Sequence, residues 1–222
     1  MNHIDEKRNE IKKFFNPGLI IPDSKESVLS PSKHFRLDTV NYKQDKADVN
    51  WEVTKVGIFD LRINQILFDF FINDSSFFYS WIDKGNIEFF ICAEDIFGGQ
   101  TLIDLTNRKM SSYSPGEDGF IWTDFHLSPD RKTLATIGCY WACPNEIKLY
   151  DFSDPMNLPL KEIKELEISN SETIKGWIDN KTLLLCGWRA ETVREQAEDG
   201  TFKYKMAIIE TEPEREIILN LD

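Results

Sequence analysis

The feature that most constrains the fold of this chain is a tight turn that recurs at a nearly constant interval. The turns are marked by Ser32, Asp83, Asp130 and Asp179, which are separated by 51, 47 and 49 positions. Each turn lies between two apolar stretches, as in Leu127-Ser-Pro-Asp-Arg-Lys-Thr-Leu-Ala135. A repeat of this length indicates that the chain is built from four copies of one supersecondary unit.

A second signal follows each turn, where a short apolar run closes on an acidic residue. These acids are Asp60, Asp104, Asp151 and Glu210. The alternation in Glu146-Ile-Lys-Leu-Tyr-Asp151 is typical of a strand, and a further short strand follows each acid. We therefore predict an all-β fold of four antiparallel four-stranded repeats, with strands a to d, that form a small or open β-propeller.

The repeats are placed at about 26–73, 74–114, 120–168 and 172–222, so that the predicted β domain covers 26–222. Residues 1–25 fall outside the repeat. Four apolar residues in this segment fit one helical face, namely Ile4, Ile11, Phe14 and Phe15. They predict a short N-terminal helix that ends at Asn16-Pro-Gly18 and covers an edge of the end blade.

The third repeat resembles a known sequence motif. Leu127-Ser-Pro-Asp-Arg-Lys-Thr-Leu-Ala135 is similar to the Ser-Pro-Asp-Gly-Lys-x-Leu-Ala turn of TolB-like and WD-repeat-like propellers. The resemblance is good over this blade and thin over the other three. It implies a propeller fold and a habit of binding proteins or peptides, although propellers have many unrelated functions.

The charge of the chain narrows the choice of partner. There are 38 acidic and 26 basic residues, which give a formal net charge of -12. Such a surface repels nucleic acids and anionic membranes, and it favours a protein partner with a basic surface. No apolar run is long enough to span a bilayer and no export signal precedes the repeats, so we expect a cytoplasmic protein.

The cysteines obey the repeat. Cys92, Cys139 and Cys186 fall at similar positions on successive b strands, which predicts buried, reduced thiols that serve in packing. Cys143 breaks the pattern, and its Cys-x-x-x-Cys spacing with Cys139 is not that of a zinc site. We therefore expect no metal site and no cofactor.

One constellation suggests catalysis. Asp124, His126 and Ser128 lie on one face of a predicted strand and could form a Ser/His/Asp set. Ser128 also belongs to the Ser-Pro-Asp turn, where its hydroxyl is expected to bond to the local backbone. The alternative to a non-catalytic protein is thus a hydrolase that uses His126 and Ser128, or acids of the loops.

The predicted strand order sorts the loops into two faces. The b–c and d–a loops form what we call the upper face, and the a–b and c–d turns form the lower face. Most of the negative charge falls on the upper face. The residues predicted there to bind a basic protein are Glu94, Asp95, Phe97, Glu117, Asp118, Trp122, Tyr140, Trp141 and Trp188.

Acids among large aromatic residues suit the docking of a basic protein, with rings as anchors and carboxylates for steering. A special case is an immunity or antitoxin protein that occupies the basic cleft of a nuclease. A further alternative is a binder of carbohydrates or other small ligands that uses tryptophans and carboxylates. If the protein is a non-catalytic binding module, as we predict, it has no catalytic residue.

Overall fold

The computed structural model describes residues 3–13, 15–43, 52–72, 77–94, 97–116, 119–141, 143–169, 171–196 and 202–219, without the side chains of 3, 190–210 and 212. Within these ranges the chain forms one N-terminal α-helix, a short 3-10 helix at Pro17–Leu19 and four antiparallel sheets that follow one another along the sequence. The all-β fold with a propeller-like series of sheets is thereby confirmed. We number the sheets as blades 1 to 4.

Each of the first three blades has four strands in sequential order, so that every strand pairs with its chain neighbour. Blade 1 contains β1 (Glu26–Leu29), β2 (Phe35–Lys43), β3 (Glu52–Asp60) and β4 (Gln65–Ile72). Blade 2 contains β5 (Tyr79–Lys84), β6 (Ile87–Ala93), β7 (Gln100–Asp104) and β8 (Lys109–Tyr113). Blade 3 contains β9 (Ile121–Leu127), β10 (Thr133–Cys139), β11 (Glu146–Asp151) and β12 (Glu162–Glu167).

The prediction of four strands in every repeat is wrong for blade 4. Among its described residues it has three strands, β13 (Glu172–Trp177), β14 (Thr182–Gln196) and β15 (Phe202–Ile218). The predicted c–d turn at 211–214 lies inside β15, where the pairing with β14 shifts register. Pro213 falls at this shift, because a proline cannot donate to a sheet ladder and is tolerated at a bulge. A bulge had the sequence signature of a turn.

The acids that close the apolar runs shape the c–d turns. β3, β7 and β11 end at Asp60, Asp104 and Asp151, as the repeat predicts. Oδ1 of each carboxylate accepts a backbone N–H in the turn that follows, with distances of 3.0, 2.7 and 2.9 Å. These bonds satisfy turn amides that no strand partner reaches. Glu210 lies inside β15, and its side chain is outside the described part.

Three of the four recurring residues of the a–b turns have the same role, whereas Asp83 lies inside β5 and pairs with Glu88 in the sheet. The Ser32 hydroxyl accepts the backbone N–H of His34 at 3.1 Å. Asp130 and Asp179 accept the backbone N–H groups two positions later, at 3.1 and 2.8 Å. The period of the sequence is therefore the period of side-chain-capped turns.

The core is divided into interfaces between neighbouring blades. The interface of blades 1 and 2 includes Phe35, Leu37, Ile58, Phe70, Phe90 and Ile103. The interface of blades 2 and 3 includes Phe89, Ile91, Leu102, Trp122, Phe125 and Phe152. The interface of blades 3 and 4 includes Ala135, Ile137, Leu149, Ile174, Leu183 and Leu185. Among the described residues no core cluster joins blade 4 to blade 1, as in an open arc.

The outer face of blade 1 is apolar toward the N-terminal segment, where Tyr42, Val53 and Phe71 form a cluster with Ile11, and it carries charged residues elsewhere. Side chains alternate along β2 and β3, so the residues next to Phe35 and Ile58 point away from blade 2. Arg36 lies over the Phe59 ring at 4.6 Å and pairs with Asp38 at 2.8 Å. Within the described part of the chain, no other blade packs against this face.

The helix α1 (His3–Lys13) lies against the outer strands of two blades. It contacts β4 and β8, with Ile4 and Ile11 buried. Phe15 follows the helix and packs against Tyr42 and Phe71, at centroid distances of 4.6 and 4.8 Å. The predicted cover over the edge of blade 1 is confirmed, and the helix also reaches blade 2. Phe14 lies outside the described residues.

Candidate functional site

The upper face of blades 2 and 3 is built on two loops in direct contact. Gly119 N–H donates to the Phe97 carbonyl at 3.1 Å. A Cβ added to Gly119 would lie 2.4 Å from that carbonyl, and one added to Gly98 would lie 2.6 Å from the backbone of Gly119. Only glycine allows this approach, and Gly98 has a φ of +83° as well. The contact fixes one loop against the other.

Two aromatic side chains are exposed on this face. Phe97 is 41% exposed and Trp141 is 60% exposed. Between them, Phe120 contacts Tyr140 edge to face at 5.6 Å, and Tyr140 precedes Trp141 in the chain. We call Phe97, Phe120, Tyr140 and Trp141 the upper rim. It runs from the b–c loop of blade 2 to the b–c loop of blade 3.

A buried lysine supports the rim from below. Lys148 is 3% exposed, and its Nζ donates to the Tyr140 hydroxyl at 2.9 Å. It also pairs with Glu162 and Glu165, at 2.9 and 2.8 Å. Burial lowers the pKa of Lys148, but the hydrogen bonds to Glu165, Tyr140 and Glu162 outweigh burial and raise it. The lysine therefore stays charged and holds Tyr140 in place.

Glu94 does not belong to an exposed acidic surface, and this prediction is wrong. Its side chain is 5% exposed and is paired with Arg8 of the helix, with an Nε–Oε2 distance of 3.1 Å. The Thr101 hydroxyl also donates to the Glu94 carboxylate. Arg8 in turn lies over the Phe70 ring at 4.7 Å. Because its charge is matched inside the fold, Glu94 fastens the helix to blade 2.

Trp122 is also misplaced by the sequence interpretation. It is 1% exposed and lies in the core between blades 2 and 3, where its Nε1–H donates to the Tyr150 hydroxyl at 3.3 Å. Blade 3 lies between two other blades, so side chains on both faces of its strands are buried. The prediction that Trp122 lies at the edge of a loop did not take this into account. Trp188 is half-buried on β14. Asp95, Glu117 and Asp118 lie outside the described residues.

The possible catalytic set does not assemble around Ser128. Its hydroxyl donates to Asp130 at 2.7 Å and accepts the backbone N–H of Thr133 at 3.0 Å. His126 Nε2 instead bonds to Asp124 Oδ2 at 2.8 Å. Burial raises the pKa of Asp124, but the bond to His126 outweighs it and lowers the pKa. The serine is used by its own turn, as the sequence predicts.

The cysteines follow the packing prediction only in part. Cys92 is fully buried between blades 1 and 2, and burial raises the pKa of its thiol well above the ordinary value. Cys139 and Cys186 are only half-buried, and Cys143 is exposed. Cys92 has a blade on each side, whereas Cys186 lies on the last blade of the arc. In the described part of the chain, no three His, Cys, Asp or Glu side chains form a metal-binding group.

The supports of the upper rim were missed by sequence reasoning. Lys148 occupies the middle of a buried strand, where a charged residue within an apolar alternation is a usable signal. Arg8 carried no signal, because its partner Glu94 is 86 residues away in the chain. Such an ion pair follows only from the docked position of the helix.

Together, the blades and the loops define a propeller-like protein with a preformed upper rim. No family model matches the chain. A protein of Acanthamoeba polyphaga mimivirus, described as uncharacterized, is 29% identical over 144 residues. That match covers 64% of this chain and 56% of the viral protein, so the chain matches little more than half of its relative's length.

Solved structures resemble the chain at low identity. The dihydro-heme d1 dehydrogenase NirN is 17% identical, with a TM-score of 0.48 over 89% of this chain and 40% of NirN. Hydrazine synthase of Kuenenia stuttgartiensis is 15% identical, with a TM-score of 0.45 over 87% of this chain and 65% of that chain. Among the described helices, none is both long and apolar enough to cross a bilayer.

Proposed function

We propose that the chain is a non-catalytic protein-binding module that docks a basic protein surface on its upper rim. The observation that carries this proposal is Trp141, a tryptophan that is 60% exposed beside a well-supported neighbour. Tryptophan is the residue type most enriched among the dominant anchors of protein interfaces. An exposed ring on a preformed surface loses little conformational freedom when a partner covers it.

The support of the rim favours docking over simple exposure. The rings of Phe120 and Tyr140 are packed together, and Lys148 bonds to the Tyr140 hydroxyl. Gly98 and Gly119 fix the loops of blade 2 against each other. Phe97 and Trp141 are therefore presented at the two ends of one firm surface. Exposed apolar groups arranged in this way mark interaction sites more often than isolated ones do.

Charge argues for a basic partner. Two of the described cations in this region, Arg8 and Lys148, are paired with carboxylates of the chain. A third, Lys7, lies over the Phe97 ring at 5.4 Å and donates to the Ser114 hydroxyl at 2.9 Å. Asp95, Glu117 and Asp118 are within two positions of Phe97 or Gly119 in the sequence. With a net charge of -12, the chain attracts basic surfaces at long range, and this effect speeds association. An immunity-type role is a special case of this proposal, and charge is its only support.

The test separates anchoring from steering. A partner captured from the source cell is immobilised, and its kinetics are measured with wild type, Trp141→Ala and the triple variant Asp95→Asn, Glu117→Gln, Asp118→Asn. We expect Trp141→Ala to speed dissociation at least about tenfold, whereas the triple variant slows association and loses salt dependence. Glu94 is kept in every variant because it has a structural role.

A charge-matched control uses three exposed acids of the lower face and the end of blade 4. Asp83→Asn, Asp154→Asn and Glu216→Gln change the net charge by the same amount as the upper-face variant. We expect this control to bind close to wild type. Equal slowing by both triple variants would show that net charge alone matters, and an unchanged dissociation rate in Trp141→Ala would overturn the proposed rim.

A further inference from the structure

We propose that a cleft on the lower face, between blades 1 and 2, binds a small polyhydroxylated ligand the size of a monosaccharide. The cleft has a volume of about 520 Å³. That volume is within the range of small-molecule sites. Its lining combines aromatic, charged and neutral polar residues, among them Ser32, Phe35, Arg62, Trp81, Asn86 and Glu88. This site is separate from the upper rim and does not depend on the function proposed there.

Two buried polar atoms of the lining have no hydrogen-bond partner among the described residues. They are Nε1 of Trp81, which donates, and Oε1 of Glu88, which accepts. A buried polar group without a partner costs about 1–3 kcal/mol, so most folded proteins satisfy such groups. An unmatched donor and an unmatched acceptor in the lining of one cleft indicate that it is completed by something that enters it.

Both side chains are held in place by the fold. Glu88 Oε2 accepts a hydrogen bond from Ser32 across the blade interface, at 2.6 Å. The Trp81 ring meets Phe90 edge to face at 5.1 Å. The unmatched atoms are therefore not free to turn toward bulk water, from which both are covered. The proposal therefore requires small movements of exposed lining residues such as His34 and Asn86 when the ligand enters.

The chemistry of the lining favours hydroxyl groups over charged groups. A hydroxyl both donates and accepts, so adjacent hydroxyls of one ring can satisfy Glu88 and Trp81 together. A ligand carboxylate would face the charge of Glu88, and Arg62 is already bound to Asp60 at 2.9 and 2.8 Å. Phe35 and Trp81 offer apolar surface for the C–H groups of a sugar ring.

The test is calorimetric titration of the full chain with D-glucose, D-galactose, D-ribose and N-acetyl-D-glucosamine, and with glycine as a zwitterion without hydroxyls. We expect at least one sugar to bind with a Kd of about 1 mM, the affinity typical of a ligand with about a dozen heavy atoms. Trp81→Phe keeps the ring but removes the donor, and Glu88→Gln removes the charge. Each substitution should raise the Kd for that sugar about tenfold or more.

Trp177→Phe is the matched control, because it makes the same change at a tryptophan outside the cleft, and this variant should bind the sugar like wild type. Circular dichroism checks that the variants are folded, and Glu88→Gln provides a second, independent arm if Trp81→Phe misfolds. If none of the sugars binds, the proposal is overturned, and ordered water is then what occupies the cleft. Binding of glycine without any sugar, or sugar binding unchanged in both cleft variants, would overturn it equally.

Discussion

The two ends of blade 2 each hold a glutamate below the surface, and they differ in whether the carboxylate is satisfied. At the upper end, Glu94 is bound by Arg8 and Thr101. At the lower end, Glu88 is bound through one oxygen by Ser32, and its other oxygen has no hydrogen-bond partner among the described residues. An acid near a loop therefore has a structural role when distant segments of the chain supply donors for both of its oxygens. It can bind a ligand when one oxygen is left without a donor.

We expect the largest loss of unfolding free energy from replacing Glu94, the acid whose oxygens both have hydrogen-bond partners. Replacing Glu94 by Gln removes the buried charge partner of Arg8 and leaves only the longer, more exposed pair with Asp5 at 3.8 Å. Breaking a buried ion pair typically costs about 3 kcal/mol of unfolding free energy. Urea unfolding followed by tryptophan fluorescence measures this loss. Asp38→Asn is the matched control, because it breaks the more exposed pair of Asp38 with Arg36 and should cost about 1 kcal/mol or less. Equal losses in the two variants would contradict a structural role for Glu94.

A second satisfied acid gives a pH-dependent prediction. Asp60 is fully buried, and hydrogen bonds and the nearby charges of Arg62 and Arg108 lower its pKa from 3.8 to about 2, although burial opposes them. A lowered pKa in the fold means that the stabilisation is complete above the unfolded value of 3.8 and is lost as the pH falls through about 2.

Wild type and Asp60→Asn should therefore differ most in unfolding free energy near pH 5, with wild type the more stable. The two curves should converge as the pH approaches about 2. Urea titrations at half-unit steps of pH measure this convergence. A gap that stays constant over the whole range would show that the ionised form of Asp60 does not stabilise the fold.

The smallest stability effect is expected at the unsatisfied acid. Glu88→Gln keeps an oxygen that can accept the bond from Ser32, and it removes a charge that forms no ion pair among the described residues. We expect the unfolding free energy to change by no more than about 0.5 kcal/mol. A loss as large as that in Glu94→Gln would mean that the two ends of blade 2 do not differ.

The sequence predicted the features that repeat and missed those that join distant segments. Turn acids such as Asp130 and Asp179 could be recognised because each one caps its own turn. The three-stranded form of blade 4 could not, since a bulge with Pro213 has the same local composition as a turn. Burial of Trp122 depends on the neighbouring blade, and the pairing of Glu94 depends on the helix. The alternation of apolar and polar residues along one strand predicts neither this burial nor this pairing.

The cleft was missed for the same reason. Trp81 and Glu88 belong to one hairpin of blade 2, but Ser32 and Arg62 come from two turns of blade 1. Only the packing of the two blades brings them together. A tryptophan on strand a of the second repeat could have been noticed, yet nothing in its sequence neighbourhood separates it from the core tryptophans.

The indole N–H resonances of ¹⁵N-labelled protein test the contrast between satisfied and unsatisfied groups most directly. Trp122 Nε1–H is bonded to Tyr150 and Trp177 Nε1–H to the His126 carbonyl, at 3.3 and 3.0 Å. Trp81 Nε1–H has no hydrogen-bond partner in the part of the chain that the structure describes. The Trp81 resonance is assigned by its loss in Trp81→Phe. On titration with the sugars named above, we predict a saturable shift of Trp81 while Trp122 and Trp177 stay in place. A Trp81 resonance that does not move with any sugar, or that moves equally with the other two, would contradict the account.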